Sequence, residues 1–405
     1  MIQNLNSIDP DFLFWFSGFT DAEGNFLISL DRQYIKLRFR INLHIDDIKV
    51  IETIKSKLNV GRIRSDTDTS CSYIIEDALG LELLCNIFNK FPLHTSKNLD
   101  FEDFYEAFLI RKNNNKLSDK DLIKIAYLKN NMNSNRKVFS SSKSQIIINP
   151  NWFIGFIEGE GTFGIKTGSS LYFQVAQKNT SQECLNGIMN FLYKLSDNTL
   201  MPSYSKISPL HITYTTNKKT DVVSIVISSI DSLYYYLLPL LNNSKMYSRK
   251  EIDFKLWKIA MLLKIQGYYY SIEGKNLFLD ISDILNKRYT TKTTLDIYKV
   301  NLALVERFYN ILKKDPIFDL NLYESHTENV RTYSRLNKSE YPKVVYIYLE
   351  DKLIEGSPFA SFSLAHKALG LNPSSNTCNR YIDTNRLYKN KYIFTSKPID
   401  STSKG

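Results

Sequence analysis

Two hydrophobic periodicities follow each other along the chain, and their order occurs twice. "NFLISL" and "YIKLRFRINLHI" alternate apolar and polar residues, as strands do. "DDIKVIETIKSKL" then has helical spacing, and strand-like "VGRIR" and "SYIIED" precede the helix-like "LGLELLCNIF". The same order recurs as "TFGIKT", "LYFQVAQK" and "SQECLNGIMNFLYKL", followed by strands near 206–216 and 221–229. Each of these two stretches therefore predicts an α-β-β-α-β-β-α unit, and the sequence as a whole predicts a fold of the α+β class.

Each segment opens with an apolar run that ends in an acidic residue and a glycine. The two runs read "GFTDAEGNF" at 18–26 and "GFIEGEGTF" at 155–163. Each run also has two small residues four positions apart, on one face of a predicted helix: Gly18 with Ala22, and Gly155 with Gly159. Small residues at this spacing let two helices approach closely. We therefore expect the two motif helices to pack side by side, with Gly24 and Gly161 ending them.

This packing would bring together two glutamates, Glu23 and Glu160, at the C-terminal ends of the helices. A carboxylate is unfavourable there because that end of the helix dipole is negative, and two adjacent carboxylates also repel. Mg²⁺ is a hard cation that takes one or two carboxylates and keeps positions for water and phosphate. The pair predicts a metal site for phosphodiester hydrolysis, and the alternative is two solvated helix ends. Asp21 and Glu158, two residues earlier, are expected to have structural or helix-end roles.

Length and charge narrow the class of protein. The chain has 405 residues, 43% of them hydrophobic, and a formal net charge of +10. This length predicts two or three domains, and the positive charge fits a polyanionic partner such as nucleic acid. The four cysteines are scattered, which gives no support for a disulfide framework or a zinc ribbon. No apolar run reaches the length of a membrane span, so we expect no membrane association.

Polar segments suggest the domain boundaries. We predict a first repeat, a linker, a second repeat, another linker, a small module and a tail, at 1–132, 133–149, 150–318, 319–342, 343–396 and 397–405. In the module, the helix-like "SFSLAHKALGL" and "PSSNTCNRYID" lie between strand-like "KVVYIYLED" and "NKYIF". Two short helices joined by a turn predict a helix-turn-helix-like unit.

The paired motifs resemble those of LAGLIDADG homing endonucleases, in the single-chain, two-repeat form encoded within organellar introns. The resemblance covers roughly residues 10–315. It implies two tandem LAGLIDADG-type repeats in a pseudo-twofold saddle, which cut a long, nearly palindromic DNA site and leave short 3′ overhangs. It also implies that Glu23 and Glu160 bind Mg²⁺, with Mn²⁺ as a substitute, and no backbone ligand is assigned at Ala22.

The resemblance implies further residues at the site. A lysine near each glutamate is expected, and a shared "PL…SK…DF" frame selects Lys97 and Lys245. The alternative is that these are surface lysines capping the following helices. The resemblance also implies a glutamine on the second strand. Gln177 occupies this position in the second half, whereas the first half has Leu43 there, so we expect chemically unequal half-sites.

The second strand of the first half offers a polar face to DNA. Its apolar residues occupy alternate positions, and the others are Lys36, Arg38, Arg40, Asn42 and His44. Such a ribbon fits a major groove, where arginine and asparagine make bidentate base contacts. Further candidates for DNA contact are Arg62, Arg64, Lys166, Gln174 and Lys178 in the repeats, and Ser375, Thr377 and Arg380 in the module. The alternatives are a solvated sheet face and a module that only packs.

Together, these expectations predict that the protein is a monomeric, Mg²⁺-dependent, site-specific endonuclease of double-stranded DNA. The alternatives are an RNA-binding maturase that helps its host intron splice, with intron RNA as its partner, and a non-catalytic DNA-binding regulator. The first basic residue is Arg32, so an Arg-rich presequence is absent. The protein is then not imported, is made where it works, or has lost a targeting segment. Together with an Asn-, Ile-, Lys- and Tyr-rich composition, this favours a mitochondrial origin.

Overall fold

The first half of the chain folds into a four-stranded antiparallel sheet covered by helices. The computed structural model describes residues 5–31, 34–114, 116–139, 146–166, 169–197, 210–286, 297–314 and 344–399. The elements of the first half are α1 (Pro10–Glu23), β1 (Gly24–Asp31), β2 (Tyr34–His44), α2 (Ile48–Leu58), β3 (Arg62–Thr67), β4 (Ser70–Ile75), α3 (Ala78–Lys90), α4 (Lys97–Asn113) and α5 (Asp119–Asn130). The strand order is β1-β2-β4-β3.

The second half repeats this plan. Its elements are α6 (Pro150–Glu160), β5 (Gly161–Ile165), β6 (Leu171–Lys178), α7 (Gln182–Asp197), β7 (Thr213–Asn217), β8 (Val222–Ile227), α8 (Ile230–Ser232), a π-helical turn (Leu233–Leu237), α9 (Leu238–Asn242), α10 (Lys250–Ile265), α11 (Ile272–Ile284) and α12 (Ile297–Leu312). Its sheet has the order β5-β6-β8-β7. The registers also correspond, since Gly24 pairs with Ile41 and Gly161 pairs with Val175.

The predicted pair of α-β-β-α-β-β-α units is confirmed, with additional helices closing each half. Those helices are α4 and α5 in the first half and α10 to α12 in the second. The predicted linker 319–342 lies wholly outside the described residues, as do residues 140–145 of the linker 133–149 and residues 400–405 of the tail. The predicted strand near 206–216 begins later, at Thr213, and its first four positions also lie outside the described residues.

Helices α1 and α6 pack backbone against backbone. A Cβ atom on Gly18 would lie 1.9 Å from the carbonyl oxygen of Trp152, and one on Gly155 would lie 2.0 Å from that of Trp15. A Cβ atom on Gly159 would lie 2.5 Å from the Cβ of Ala22. These reciprocal contacts relate the two halves by a pseudo-twofold axis and confirm the expected close approach.

Polar caps and glycines fix where the two helices begin and end. The side chain of Asp9 accepts from the backbone N–H of Asp11 (3.1 Å), and Asn149 caps α6 in the same way. Gly24 and Gly161 end the helices, but their φ angles of −74° and −79° are extended rather than left-handed. Glycine is required here for space, because a Cβ atom on Gly161 would lie 2.5 Å from the carbonyl oxygen of its own helix at Ile157.

The residues after 343 form a small module with its own core. Its elements are β9 (Tyr346–Leu349), β10 (Lys352–Leu353), α13 (Phe362–Ala368), α14 (Thr377–Tyr381) and β11 (Tyr392–Thr395), with strand order β10-β9-β11. Ile347, Ala365, Cys378 and Phe394 are among its buried core residues. His366 joins the two helices, because its Nε2 accepts from the backbone N–H of Cys378 (3.1 Å). Strand β10 is an addition to the predicted strand-helix-helix-strand order.

Within the described ranges, no helix is both long and apolar enough to cross a membrane. All four cysteines are buried and unpaired, as their scattered spacing indicated.

We predict that Gly18→Ala and Gly155→Ala each lower the free energy of unfolding by about 3 kcal/mol, because the added methyl group forces the two backbones apart. Urea unfolding measures the change. Ser56→Ala, at an exposed position of α2, is the matched control and should change little. Unchanged or increased stability in both glycine variants would contradict the backbone contact.

Candidate functional site

The last residues of the two motif helices meet where these helices end. Glu23 ends α1 and Glu160 ends α6, and both are partly buried. The Glu23 carboxylate lies across the other helix, since its Oε1 is 2.9 Å from the position that a Cβ atom would take at Gly159. The close packing of the helices thus brings together the two glutamates that the sequence selected.

Burial and mutual repulsion favour the protonated forms of these glutamates. Burial raises the pKa of Glu23, and the ammonium groups of Lys97 and Lys250 oppose the increase. Burial also raises the pKa of Glu160, and the nearby charge of Glu23 adds to this effect. Gln177 hydrogen-bonds to Glu160 and opposes the increase. The structure therefore places Gln177 beside the paired carboxylates.

A lysine from each half lies next to the C-terminal ends of the two motif helices. Lys97 Nζ donates to the carbonyl oxygens of Thr20 (3.0 Å) and Ala22 (3.3 Å), in the last turn of α1. Lys250 Nζ donates to the carbonyl oxygen of Gly161 (2.7 Å), directly after α6. Burial lowers the pKa of Lys97, and neighbouring carboxylates, Asp21 first, oppose the decrease. Each ammonium group thus lies at the negative end of a motif helix.

The predicted correspondence between Lys97 and Lys245 is wrong, because Lys250 is the counterpart of Lys97. Lys245 Nζ instead lies 4.9 Å from the centre of the Tyr247 ring. The misleading signal was the repeated letters "SK". The spacing to the following Asp-Phe pair identifies the correct residue, because Lys97 and Lys250 each precede their aspartate by three positions.

Asp21 joins the two halves inside the protein. It accepts from Trp152 Nε1 of the other half (3.0 Å) and from the backbone N–H groups of His94 (2.7 Å) and Thr95 (3.0 Å). These two residues lie three and two positions before Lys97, the first residue of α4. Asp21 therefore links α1, α6 and the start of α4.

Glu158 makes the equivalent link in the opposite direction. It accepts from Trp15 Nε1 (2.6 Å) and from the backbone N–H groups of Tyr247 (3.0 Å) and Ser248 (2.5 Å). Burial raises the pKa of Glu158 to about 7, although its hydrogen-bond donors oppose the increase. The structural role expected for Asp21 and Glu158 is what the structure shows.

The turn after each second strand holds the other half's lysine helix. The backbone N–H of Arg249, next to Lys250, donates to Asp47 of the first half (2.9 Å). Reciprocally, the backbone N–H of Ser96, next to Lys97, donates to Ser181 Oγ of the second half (3.1 Å). The glutamates and lysines are therefore fixed by contacts that cross between the halves.

The outward face of β2 is polar, as the alternation predicted. Leu37, Phe39 and Ile41 are buried, whereas the exposed or partly exposed residues between and beside them are Lys36, Arg38, Arg40, Asn42 and His44. Arg62 and Arg64 of β3 extend this face. The sequence analysis missed that two acidic residues, Asp66 and Glu76, pair with its cationic side chains. Asp66 lies in β3 and Glu76 directly follows β4, so the pattern within β2 gave no sign of them.

The other predicted DNA-binding residues are scattered over the second half and the module. Gln174 of β6 donates to Ser224 Oγ (3.3 Å), Lys178 ends the same strand, and Lys166 follows β5 with its Nζ 5.8 Å from the centre of the Tyr172 ring.

The residues predicted to contact DNA in the module also make contacts within the protein. Arg380 contacts Ser282 Oγ (3.4 Å) and Asp283 Oδ1 (3.6 Å) of α11, and its side chain is only 17% exposed. Ser375 and Thr377 hydrogen-bond to each other through their hydroxyl groups (2.8 Å). Arg380 thus helps dock the module on the second half, and contact of these residues with DNA stays a prediction. Arg386 strengthens this docking by pairing with Asp283 (2.6 Å) and with Asp280.

Comparisons with known proteins agree with this geometry. The family model described as "LAGLIDADG endonuclease" matches residues 16–108 and 153–261, one match in each half. A crystal structure of the LAGLIDADG homing endonuclease I-GzeII in complex with its DNA target is similar, with a TM-score of 0.57 and 25% identity. The likeness covers 70% of this chain and 100% of that one.

Two curated fungal proteins are also similar. "Uncharacterized mitochondrial protein RF1" of Saccharomyces cerevisiae is 28% identical over 98% of this chain and 84% of its own length. "Probable intron-encoded endonuclease Cox1-I1b" of Schizosaccharomyces pombe is 30% identical over 47% of this chain. That alignment spans 54% of the relative, so about half of its length has a counterpart here.

We predict that Trp15→Phe and Trp152→Phe destabilise the protein, because each removes one hydrogen-bond donor from a buried carboxylate. Trp257→Phe is the matched control, since its Nε1 donates to a backbone carbonyl oxygen at 3.3 Å rather than to a carboxylate. Each test variant should lose about 1–3 kcal/mol more unfolding free energy than the control. Equal losses in all three variants, measured by urea unfolding, would show that only ring volume matters.

Proposed function

Because the chain belongs to the LAGLIDADG endonuclease family, we propose that it is a site-specific endonuclease that cuts both strands of a long, nearly palindromic DNA target. The observation that carries this proposal is the meeting of Glu23 and Glu160 at the helix ends, with Lys97 and Lys250 beneath them. Each half supplies one carboxylate and one ammonium group, which matches a reaction at one phosphate in each DNA strand.

Endonucleases of this family use divalent metals. The residues of this chain fit such an ion, since two partly buried carboxylates with raised pKa values gain from a shared cation. Within the described ranges, no cluster of three His, Cys, Asp or Glu side chains offers a fuller protein-only cage. This donor set suits Mg²⁺, with Mn²⁺ as a substitute, because Mg²⁺ binds through one or two carboxylates and keeps water and phosphate ligands. When bound, such metals activate water and stabilise the leaving oxygen.

The chain's own residues hold the charges around the scissile phosphates. Glu23 and Glu160 would bind the metals, and Lys97 and Lys250 would supply positive charge where the phosphate gains negative charge. Gln177 orients the Glu160 carboxylate. Its counterpart in the first half is Leu43, by the register of the two sheets, so the two half-reactions would differ in their solvent contacts.

The relatives support a setting for this activity. One is a mitochondrial protein and another is a probable intron-encoded endonuclease. We infer that the enzyme works in mitochondria and promotes the mobility of an intron by cutting the intronless version of its host locus. A single chain contains both halves of the site, so a monomer suffices.

We predict that Glu23→Gln and Glu160→Gln each lower the cleavage rate about 100-fold or more and leave DNA affinity nearly unchanged, because each removes a metal ligand and keeps the side-chain shape. The protein is incubated in Mg²⁺ with a DNA library that includes the intronless host locus, and the cut ends are sequenced. Glu106→Gln, at an exposed ion pair with Lys124, is the control and should cut normally.

A variant that cuts both strands at the parent rate would remove its glutamate from the site. If the folded parent protein cuts nothing in such a library, the endonuclease proposal fails. Affinity for intron RNA would then be the next measurement, as the test of the maturase hypothesis.

We predict that Lys97→Met and Lys250→Met each reduce cleavage about 10²- to 10⁴-fold, the range for positioned charged or proton-transferring groups, while the target is still bound. Lys245→Met should cut at nearly the parent rate, since Lys245 lies over an aromatic ring and outside the site. Single-turnover rates and gel-shift affinities separate chemistry from binding. A loss in Lys245→Met equal to that in Lys250→Met would contradict the assignment.

A further inference from the structure

The outward face of the first sheet contains a network of ion pairs around Glu76. This carboxylate pairs with Arg62 Nη2 (2.7 Å), Arg38 Nε (3.0 Å) and Lys36 Nζ (3.4 Å). The hydrogen bond from Arg62 is the largest of the effects that lower the pKa of Glu76 to about 2. Glu76 is therefore ionised at neutral pH, and it ties strands β2 and β3 together from the end of β4.

Asp66 forms a second network beside the first. It pairs with Arg40 Nη2 (2.7 Å) and Arg64 Nε (3.3 Å), and it accepts from Ser72 Oγ. Arg40 Nε also donates to Ser72 Oγ (2.8 Å), so the guanidinium group of Arg40 is held at two points. The hydrogen bond from Ser72 contributes most to lowering the pKa of Asp66.

The networks hold the arginines in place and leave guanidinium nitrogens available to a ligand. Arg38 binds Glu76 through Nε, and among the described residues its terminal nitrogens bind nothing else. Five cationic side chains share two carboxylates, so the face keeps an excess of positive charge. A long flexible side chain that is held in place before binding loses less entropy when it meets its ligand. The planar guanidinium fork matches O6 and N7 of guanine in the major groove.

Among the residues that the structure describes, the equivalent face of the second sheet has no such network. By strand register, Gln174 takes the place of Arg40 and Tyr172 that of Arg38. Ser224 is the counterpart of Ser72. Thr215 pairs with Ser224 as Arg64 pairs with Ser72, so Thr215 takes the place of Arg64. Strands β5 to β8 contain a single charged residue, Lys178. The two sheets thus share one strand arrangement but present different side chains on their outward faces.

We propose that Asp66 and Glu76 are specificity-determining positioning residues, which hold the arginines of the first sheet as a fixed array for reading guanines, whereas the second sheet reads its half-site mainly with uncharged side chains. This inference rests on the proposed DNA endonuclease function. It makes the target chemically asymmetric, with guanines under the first half and contacts of the glutamine type, which favour adenine, under the second.

The two carboxylates should lower affinity for DNA in general while raising discrimination. Removing one adds positive charge to the face, which strengthens binding to any phosphate backbone. It also frees two or three cationic side chains to contact phosphates instead of base edges, which weakens sequence readout. A residue with a merely structural role would not produce this opposite pair of effects.

The test selects bound duplexes from pools in which either half-site is randomised around the cleavage position. The proteins compared are the full-length parent, Asp66→Asn, Glu76→Gln and the double variant. Glu106→Gln removes the same charge from the same half, at an exposed position of α4, and is the matched control. Affinity for an unrelated duplex over a salt series and thermal unfolding midpoints complete the set.

The parent should prefer guanine about tenfold at two or more positions of the half-site under the first sheet. Each acid-to-amide variant should lose most of that preference and bind the unrelated duplex two- to threefold more tightly, with an unchanged unfolding midpoint. Preferences in the other half-site, and all properties of Glu106→Gln, should match the parent.

Three results would overturn the inference. They are the absence of guanine preference in the parent, full preference in both amide variants, and an equal loss in both half-sites. In each of these cases the parent still binds and cuts DNA, so the proposed function survives. A parent protein that neither binds nor cuts any duplex would instead overturn both.

Discussion

The two motif helices touch backbone to backbone, and this contact sets the position of the site's other parts. Gly18 and Gly155 leave no room for a side chain between the helices, so the helix ends meet at a fixed distance. Glu23 and Glu160 are the last residues of these helices, so the same contact fixes the paired carboxylates. The repulsion between them is a consequence of the packing, and a bound divalent cation would relieve it.

Reciprocal hydrogen bonds reinforce the helix pair. Asp21 and Glu158 each accept from a tryptophan of the other half and from the backbone just before a lysine helix. Helix packing, carboxylate position and lysine position are therefore coupled. Loosening one contact would displace several charges together. The interior of the interface therefore contains the buried acids Asp21 and Glu158 as well as aromatic rings.

The sequence predicted those features that leave a periodic or repeated signal. The alternation in β2, the small residues at Gly18 and Gly155, and the acidic ends of both motifs each have one, and the structure shows them as expected. Lys250 was missed because matching letters were preferred over matching spacing. The ion pairs of Glu76 and the docking of Arg380 join residues distant in sequence, so only strand register and the packing of the module on α11 could reveal them.

The two halves share a framework but not a surface. Duplicated contacts preserve the helix interface and the lysines, whereas the sheet faces have diverged to arginine networks on one side and uncharged polar side chains on the other. This pattern suits a protein that needs a carboxylate and a lysine from each half while its two half-sites differ.

The most direct test of the central claim is a manganese anomalous difference map from crystals of the protein with its DNA target. The account predicts peaks about 2.1 Å from the carboxylate oxygens of both Glu23 and Glu160, between the helix ends and the DNA backbone. Well-ordered DNA with manganese bound elsewhere, or with neither glutamate as a ligand, would contradict it.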